Sequence, residues 1–145
     1  MKNKILLALV FFYLNFLSIG LSNAQDQFNF NISEIEILEN GNKIIGSKRG
    51  EVSTSDRFVI EADNFIYQKI ENILNANGNV VIKDKINNYI IYSNNITYEK
   101  NSEKIFSRGK TKSEINSRFI LDSTDVIFFI DQRILSSNKD TLILD

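Results

Sequence analysis

A chain of 145 residues, 43% apolar and 24% charged, has room for one domain and a small appendage. It contains no Cys and no His, which excludes disulfide scaffolds, thiolate metal sites, Cys nucleophiles, every Ser-His-Asp arrangement and most zinc sites. Seventeen basic residues stand against 18 acidic ones, so there is no electrostatic footprint for nucleic acid, and enzyme chemistry would fall to Asp and Glu.

Residues 1–24 read as a secretory signal. Lys2 and Lys4 form a positive start, Ile5 to Leu21 is uncharged and mostly apolar, and Ser22-Asn23-Ala24 puts small residues at −3 and −1 of a cut before Gln25. The apolar run sits at the lower edge of the roughly 17–25 residues that span a bilayer, so the alternative is an uncleaved anchor. Residues 25–145 then form one exported, cysteine-free domain that must hold together by burial and strand pairing.

The mature chain repeats itself. The segment from Phe58 through Ala62, Asn64 and Tyr67 returns from Tyr89 through Ser93, Asn95 and Tyr98. It returns again from Phe119 through Ser123, Asp125 and Phe128. Gly78 and Gly109 keep the same interval of about 30 residues, with Lys139 at the third place, and a looser first unit runs from Phe28 to Val52. Within each unit the apolar period is two: Phe58, Ile60 and Ala62 alternate with Val59, Glu61 and Asp63, and Leu74, Ala76, Gly78, Val80 and Ile82 share one parity. Each unit is predicted to contain about four short strands, with Asp-Asn, Lys-Ile-Glu-Asn and Asn-Gly pieces as turns or bends and no helix after residue 24. Four stacked units predict an all-β, elongated body of two antiparallel sheets. Its unpaired end strands lie near Phe28–Leu38 and Thr141–Asp145, edges that proteins normally cover.

No catalytic site emerges. Glu61, Asp63, Asp122, Asp125 and Asp131 are the acids near repeated positions, but strand parity sends Glu61 and Asp63 away from the interior. Gly41, Gly46 and Gly50 have no helix to point at a phosphate, and no cofactor or metal is called for. The interior is more informative. Bulky and small residues alternate at repeated positions: Ile60 beside Ala62, Ile91 beside Ser93, Leu121 beside Ser123, with further small residues at Ala76, Ser107 and Ser137. Flanked by Phe65, Tyr67, Ile96, Tyr98, Val126 and Phe128, this row lines either a lengthwise groove suited to an acyl chain or a core whose small residues let the sheets approach. Ile82, which shares the parity of Ala76, completes the candidate lining.

Ala62-Asp63, Tyr67, Leu74, Ala76 and Gly78-Asn79-Val80 resemble the signature of the OstA-like family of lipopolysaccharide-transport proteins. Glu39–Val52 and Ser93–Thr111 are weaker copies, with Ser93 for Ala and Lys110 for Asn, and the likeness runs over residues 28–145. The resemblance implies a slightly open β-jellyroll in the periplasm that carries lipopolysaccharide with its acyl chains in the groove. It implies joining to other jellyroll-containing transport components, or to further copies of itself head to tail, by edge-strand pairing. The groove residues it implies are Ala62, Tyr67, Leu74, Ala76 and Val80, with counterparts Ser93, Tyr98, Ile105 and Ser107. The cleavable-looking signal and the absence of a following barrel favour the soluble bridge of that pathway. The N-terminal jellyroll of a truncated outer-membrane translocon, an anchored inner-membrane component and a structural β-solenoid binding protein partners are the alternatives.

Overall fold

The computed structural model describes residues 28–145 except Asp56, so the expected signal segment lies outside the described residues. The chain forms strands β1 (Asn29–Asn31), β2 (Glu34–Leu38), β3 (Lys43–Ser47), β4 (Gly50–Ser53), β5 (Phe58–Ala62), β6 (Asn64–Gln68) and β7 (Ile73–Asp84). It continues through β8 (Tyr89–Glu99), β9 (Lys104–Arg108), β10 (Lys110–Ile115), β11 (Phe119–Thr124), β12 (Ile127–Phe129), β13 (Ile134–Ser136) and β14 (Leu142–Leu144). Every pairing is antiparallel. Two single 3₁₀ turns, Glu39–Gly41 and Lys100–Ser102, are the only helical pieces among the described residues, and both close hairpins.

The strands make two leaves. The first runs β1-β4-β5-β7-β8-β10-β11-β14; the second runs β2-β3-β6-β7-β8-β9-β12-β13. β7 and β8 belong to both. The second-leaf half of β7, Ile73 to Asn77, pairs with β6, and its first-leaf half, beyond Val80, pairs with β5. The predicted four short pieces per unit are present, but in the two central strands consecutive pieces are fused through the corner where the chain passes from one leaf to the other.

That corner explains the Asp and Gly of the repeat. Gly78 and Asn79 take positive φ and form a bulge where the β7–β8 register skips from Asn77 to Val80. The Asp63 amide donates to the Gly78 carbonyl at 3.0 Å, and Asn79 Nδ2 donates to Asp63 Oδ2 at 2.7 Å. A Cβ on Gly78 would lie 2.5 Å from Asp63 Oδ2. At the next glycine of the repeat the Asp125 amide donates to Gly109 O at 3.1 Å while Gly109 N–H donates back to Asp125 Oδ1 at 2.8 Å. Asn77-Gly78 is therefore a bulge and not a tight turn. Of Asn64, Asn95 and Asp125, expected as turn residues, Asn64 opens β6 directly after the bend at Asp63, Asn95 lies inside β8, and Asp125 alone takes a positive φ. In the looser first unit, Ile32 fills this corner. A Cβ would lie 2.5 Å from Ile32 Cδ1 at Gly46 and 2.8 Å from Ile32 Cγ1 at Gly50.

Candidate functional site

The two leaves face each other across an apolar interior, and strand register arranges it in rows. In the first leaf, successive partners are Phe30, Val52, Ile60, Ile82, Ile91, Ser113, Leu121 and Ile143. In the second they are Ile37, Ile44, Tyr67, Leu74, Tyr98, Ile105, Phe128 and Leu135. Nearer the corner, Phe65, Ala76, Ile96 and Ser107 alternate large and small across neighbouring strands. Ala62, Val80, Ser93 and Val126 stand beside the turn of the chain. Of the nineteen candidate lining residues, all but Ser93, Leu121 and Ser137 are buried, and those three are half-buried.

The sequence left open whether the small residues hold a groove or close the packing. In this structure the slot is shut to solvent: Ile60, Ala62, Leu74 and Ala76 are each 0% exposed. Ala76 lies between the larger Phe65 and Ile96, so neighbouring bulk fills the space it leaves. Val80 and Ser93 also border a hollow of about 620 Å³ at the corner, together with Arg49, Lys110, Lys112 and Asp122.

Opposite the corner the leaves end in hairpin turns that form two lips. Aromatic pairs cross between them. Phe58 meets Tyr98 at 5.6 Å between ring centroids, Tyr89 meets Phe128 at 5.6 Å, and Phe28 stands edge-on to Tyr67 at 5.0 Å and to Tyr98 at 5.6 Å. The Tyr67 hydroxyl donates to Asn72 Oδ1 at 3.0 Å, and Asn72 Nδ2 donates to Asn101 Oδ1 at 2.9 Å, tying two second-leaf turns together. Burial pushes the Tyr67 phenol above its ordinary value.

On the first-leaf lip, buried Asp84 accepts from Arg57 Nη2 at 2.9 Å, from Asn87 Nδ2 at 2.8 Å and from the Ile86 and Asn87 amides. Burial alone would raise its pKa; the hydrogen bonds, Arg57 first, outweigh this and hold the carboxyl below its ordinary value. On the outer face, Glu61 and Asp63 point away from the interior as parity requires. Lys83 Nζ donates to Glu61 at 2.6 Å, and Arg49 reaches both acids. The hydrogen bond from Lys83 is the main reason Glu61 ionises below its usual range.

Sequence reasoning missed Phe28, Val52, Thr111, Ser113 and Ile130, all buried. For Thr111 and Ser113 the signal was alternation against Lys110, Lys112 and Glu114, with hydroxyls where an apolar residue is expected. The exposed Ile35 and Ile37 of β2 and Leu142, Ile143 and Leu144 of β14 mark the two ends. These are edge strands, as expected from the chain.

No protein-family model matches the chain, and no curated protein matches it in sequence. A solved structure does match: LptH from Pseudomonas aeruginosa, described as the LptA-homologous periplasmic component of the conserved lipopolysaccharide transport device. The likeness has a TM-score of 0.72 and covers 83% of this chain and 95% of that one, at 9% identity. The chain has the LptA-type fold. The resemblance drawn from Ala62–Asp84 is therefore borne out where it implied a jellyroll of antiparallel strands that does not close on itself; the two expected sheets are leaves of one 14-stranded sheet, continuous through β7 and β8. At 9% identity the two chains share this fold with few residues in common.

Proposed function

We propose that this protein is a periplasmic, non-enzymatic carrier of lipopolysaccharide. It shields acyl chains between its leaves and passes them along a file of jellyrolls joined at their edges. The observation that carries the reading is the pair of largely apolar rows, buried over their central strands, that face each other in a fold shared with a periplasmic transport component. Each buried methylene of an acyl chain contributes roughly 0.8 kcal/mol, so a chain laid along such rows gains several kcal/mol without any specific contact. The lips are held mainly by side-chain contacts, whereas the corner is continuous backbone, so the leaves part at the lips to admit a chain. Residues 1–24 would direct export and be removed before Gln25. Strands β1 and β2 at one end and β13 and β14 at the other would pair with neighbouring jellyrolls, of this chain or of other transport components, by β-augmentation. An inner-membrane component held by an uncleaved anchor and the jellyroll of an outer-membrane translocon would use the same slot.

Photo-reactive residues at Tyr67 and Ala76, facing the slot, and at Glu61 and Asn75, facing outward, test this in cells. Lipopolysaccharide is expected on the first pair; equal labelling of the second pair sinks the groove. The closed packing supports one rival, a structural jellyroll with a dry core that binds protein partners. That rival tolerates Ala62→Phe functionally wherever the variant folds, whereas in a carrier the same substitution blocks the slot and abolishes lipid binding.

A further inference from the structure

The interior is not uniform along its length. The part built by Val52, Ile60, Leu74 and Ile82 is apolar, and apart from Thr54, which accepts from the Phe58 amide, the buried Ser and Thr hydroxyls gather in the C-terminal half. Ser107 and Thr111 bond each other at 2.7 Å, Ser107 also donates to Val126 O, Ser123 meets Thr141 Oγ1 at 2.9 Å, and Ser93 donates to Asn95 O. Ser113 differs. It is 0% exposed, and its Oγ has no hydrogen-bond partner among the described residues. Register places it between Ile91 and Leu121, the one polar position in the first-leaf row. Its strand neighbours Lys112 and Glu114 turn outward and pair with each other at 3.0 Å, so neither serves it. A buried hydroxyl without a partner is costly and rare in native proteins, so its place here calls for a partner.

We propose that Ser113 Oγ donates a hydrogen bond to the carbonyl oxygen of an acyl ester or amide held between the leaves. This rests on the reading of the slot as an acyl-chain carrier. A hydrocarbon tail has no acceptor; the carbonyl that joins it to a head group does. The slot then has a direction: the carbonyl sits in the hydroxyl-bearing half, and the tail runs along Ile91, Ile82, Ile60 and Val52.

Two matched probes test this on the mature chain: 1-monomyristoylglycerol and its ether analogue 1-O-tetradecylglycerol, which lacks the carbonyl. Affinities are read by displacement of a polarity-sensitive dye. The wild-type protein is expected to prefer the ester by about 3–10-fold. Ser113→Ala is expected to bring that ratio to about one, with ether affinity unchanged within about twofold, while the unliganded variant melts higher because a buried orphan hydroxyl is gone. Ser113→Thr, which keeps the hydroxyl, retains the preference. Equal wild-type affinity for ester and ether, or equal loss of both in Ser113→Ala, overturns the hydrogen bond and leaves the slot standing. Binding of neither probe by the wild type overturns the slot and the hydrogen bond together.

Discussion

Gly78 and Gly109 occupy equivalent corners with nearly the same φ, +80° and +81°, yet their surroundings differ. At Gly109 an added Cβ meets nothing within 4 Å; at Gly78 it meets the Asp63 carboxylate. Gly109→Ala is expected to cost about 1 kcal/mol, the strain of a left-handed residue alone. Gly78→Ala is expected to cost about 2–3 kcal/mol, and Asp63→Ala in the same chain recovers part of it. Urea unfolding of the two single variants and the double variant measures this; equal costs at both glycines would remove Asp63 from the explanation. Asp84 gives a pH signature. Its folded pKa lies below the ordinary 3.8, so the stability it contributes is present above that value and is lost as pH falls through the lower, folded pKa. Asp84→Asn is expected to lower stability by about 2 kcal/mol at pH 7 and to flatten the acid limb of the stability profile. An unchanged acid limb in the variant would show that other carboxylates govern it.

At the scale of elements, the strand pattern was legible because half-buried strands print a period of two, and the repeat was legible because each corner needs a small or turn-forming residue. Asn64 and Asn95 were misread as turns for a physical reason. Asn tolerates both strand and bend, and pairing with Asn77 of β7, from Asn64 on β6 and from Asn95 on β8, decides in favour of strand. The lip contacts were invisible because Phe28 reaches Tyr98 and Arg57 reaches Asp84 over sequence distances that alternation does not encode. Ser113 was overlooked because a hydroxyl interrupts an apolar row, although its alternation with Lys112 and Glu114 marks it as inward. The edge strands carry their own prediction. Ile143 is centred on β14, registered opposite Leu121 and largely exposed. If β14 pairs with a neighbouring jellyroll, Ile143→Lys abolishes concentration-dependent association in sedimentation, with a melting temperature within a few degrees of wild type. Association that survives this change places the joint elsewhere.

At the scale of the molecule, the two leaves are covalently continuous at the corner and meet at the lips through rings. The interior is apolar and closed, so the proposed entry of an acyl chain requires the leaves to part first. Ile70 on a second-leaf turn and Ile86 on a first-leaf turn are exposed, 72% and 60%, and stand on opposite lips. Cysteines placed there, in a chain that has none of its own, carry spin labels without disturbing the interior. Pulsed electron paramagnetic resonance between these labels, with and without lipopolysaccharide, reports directly on whether lipid parts the leaves. A longer or broader distance on adding lipid is the expected result; a distance unmoved at saturating lipid would contradict entry of acyl chains between them.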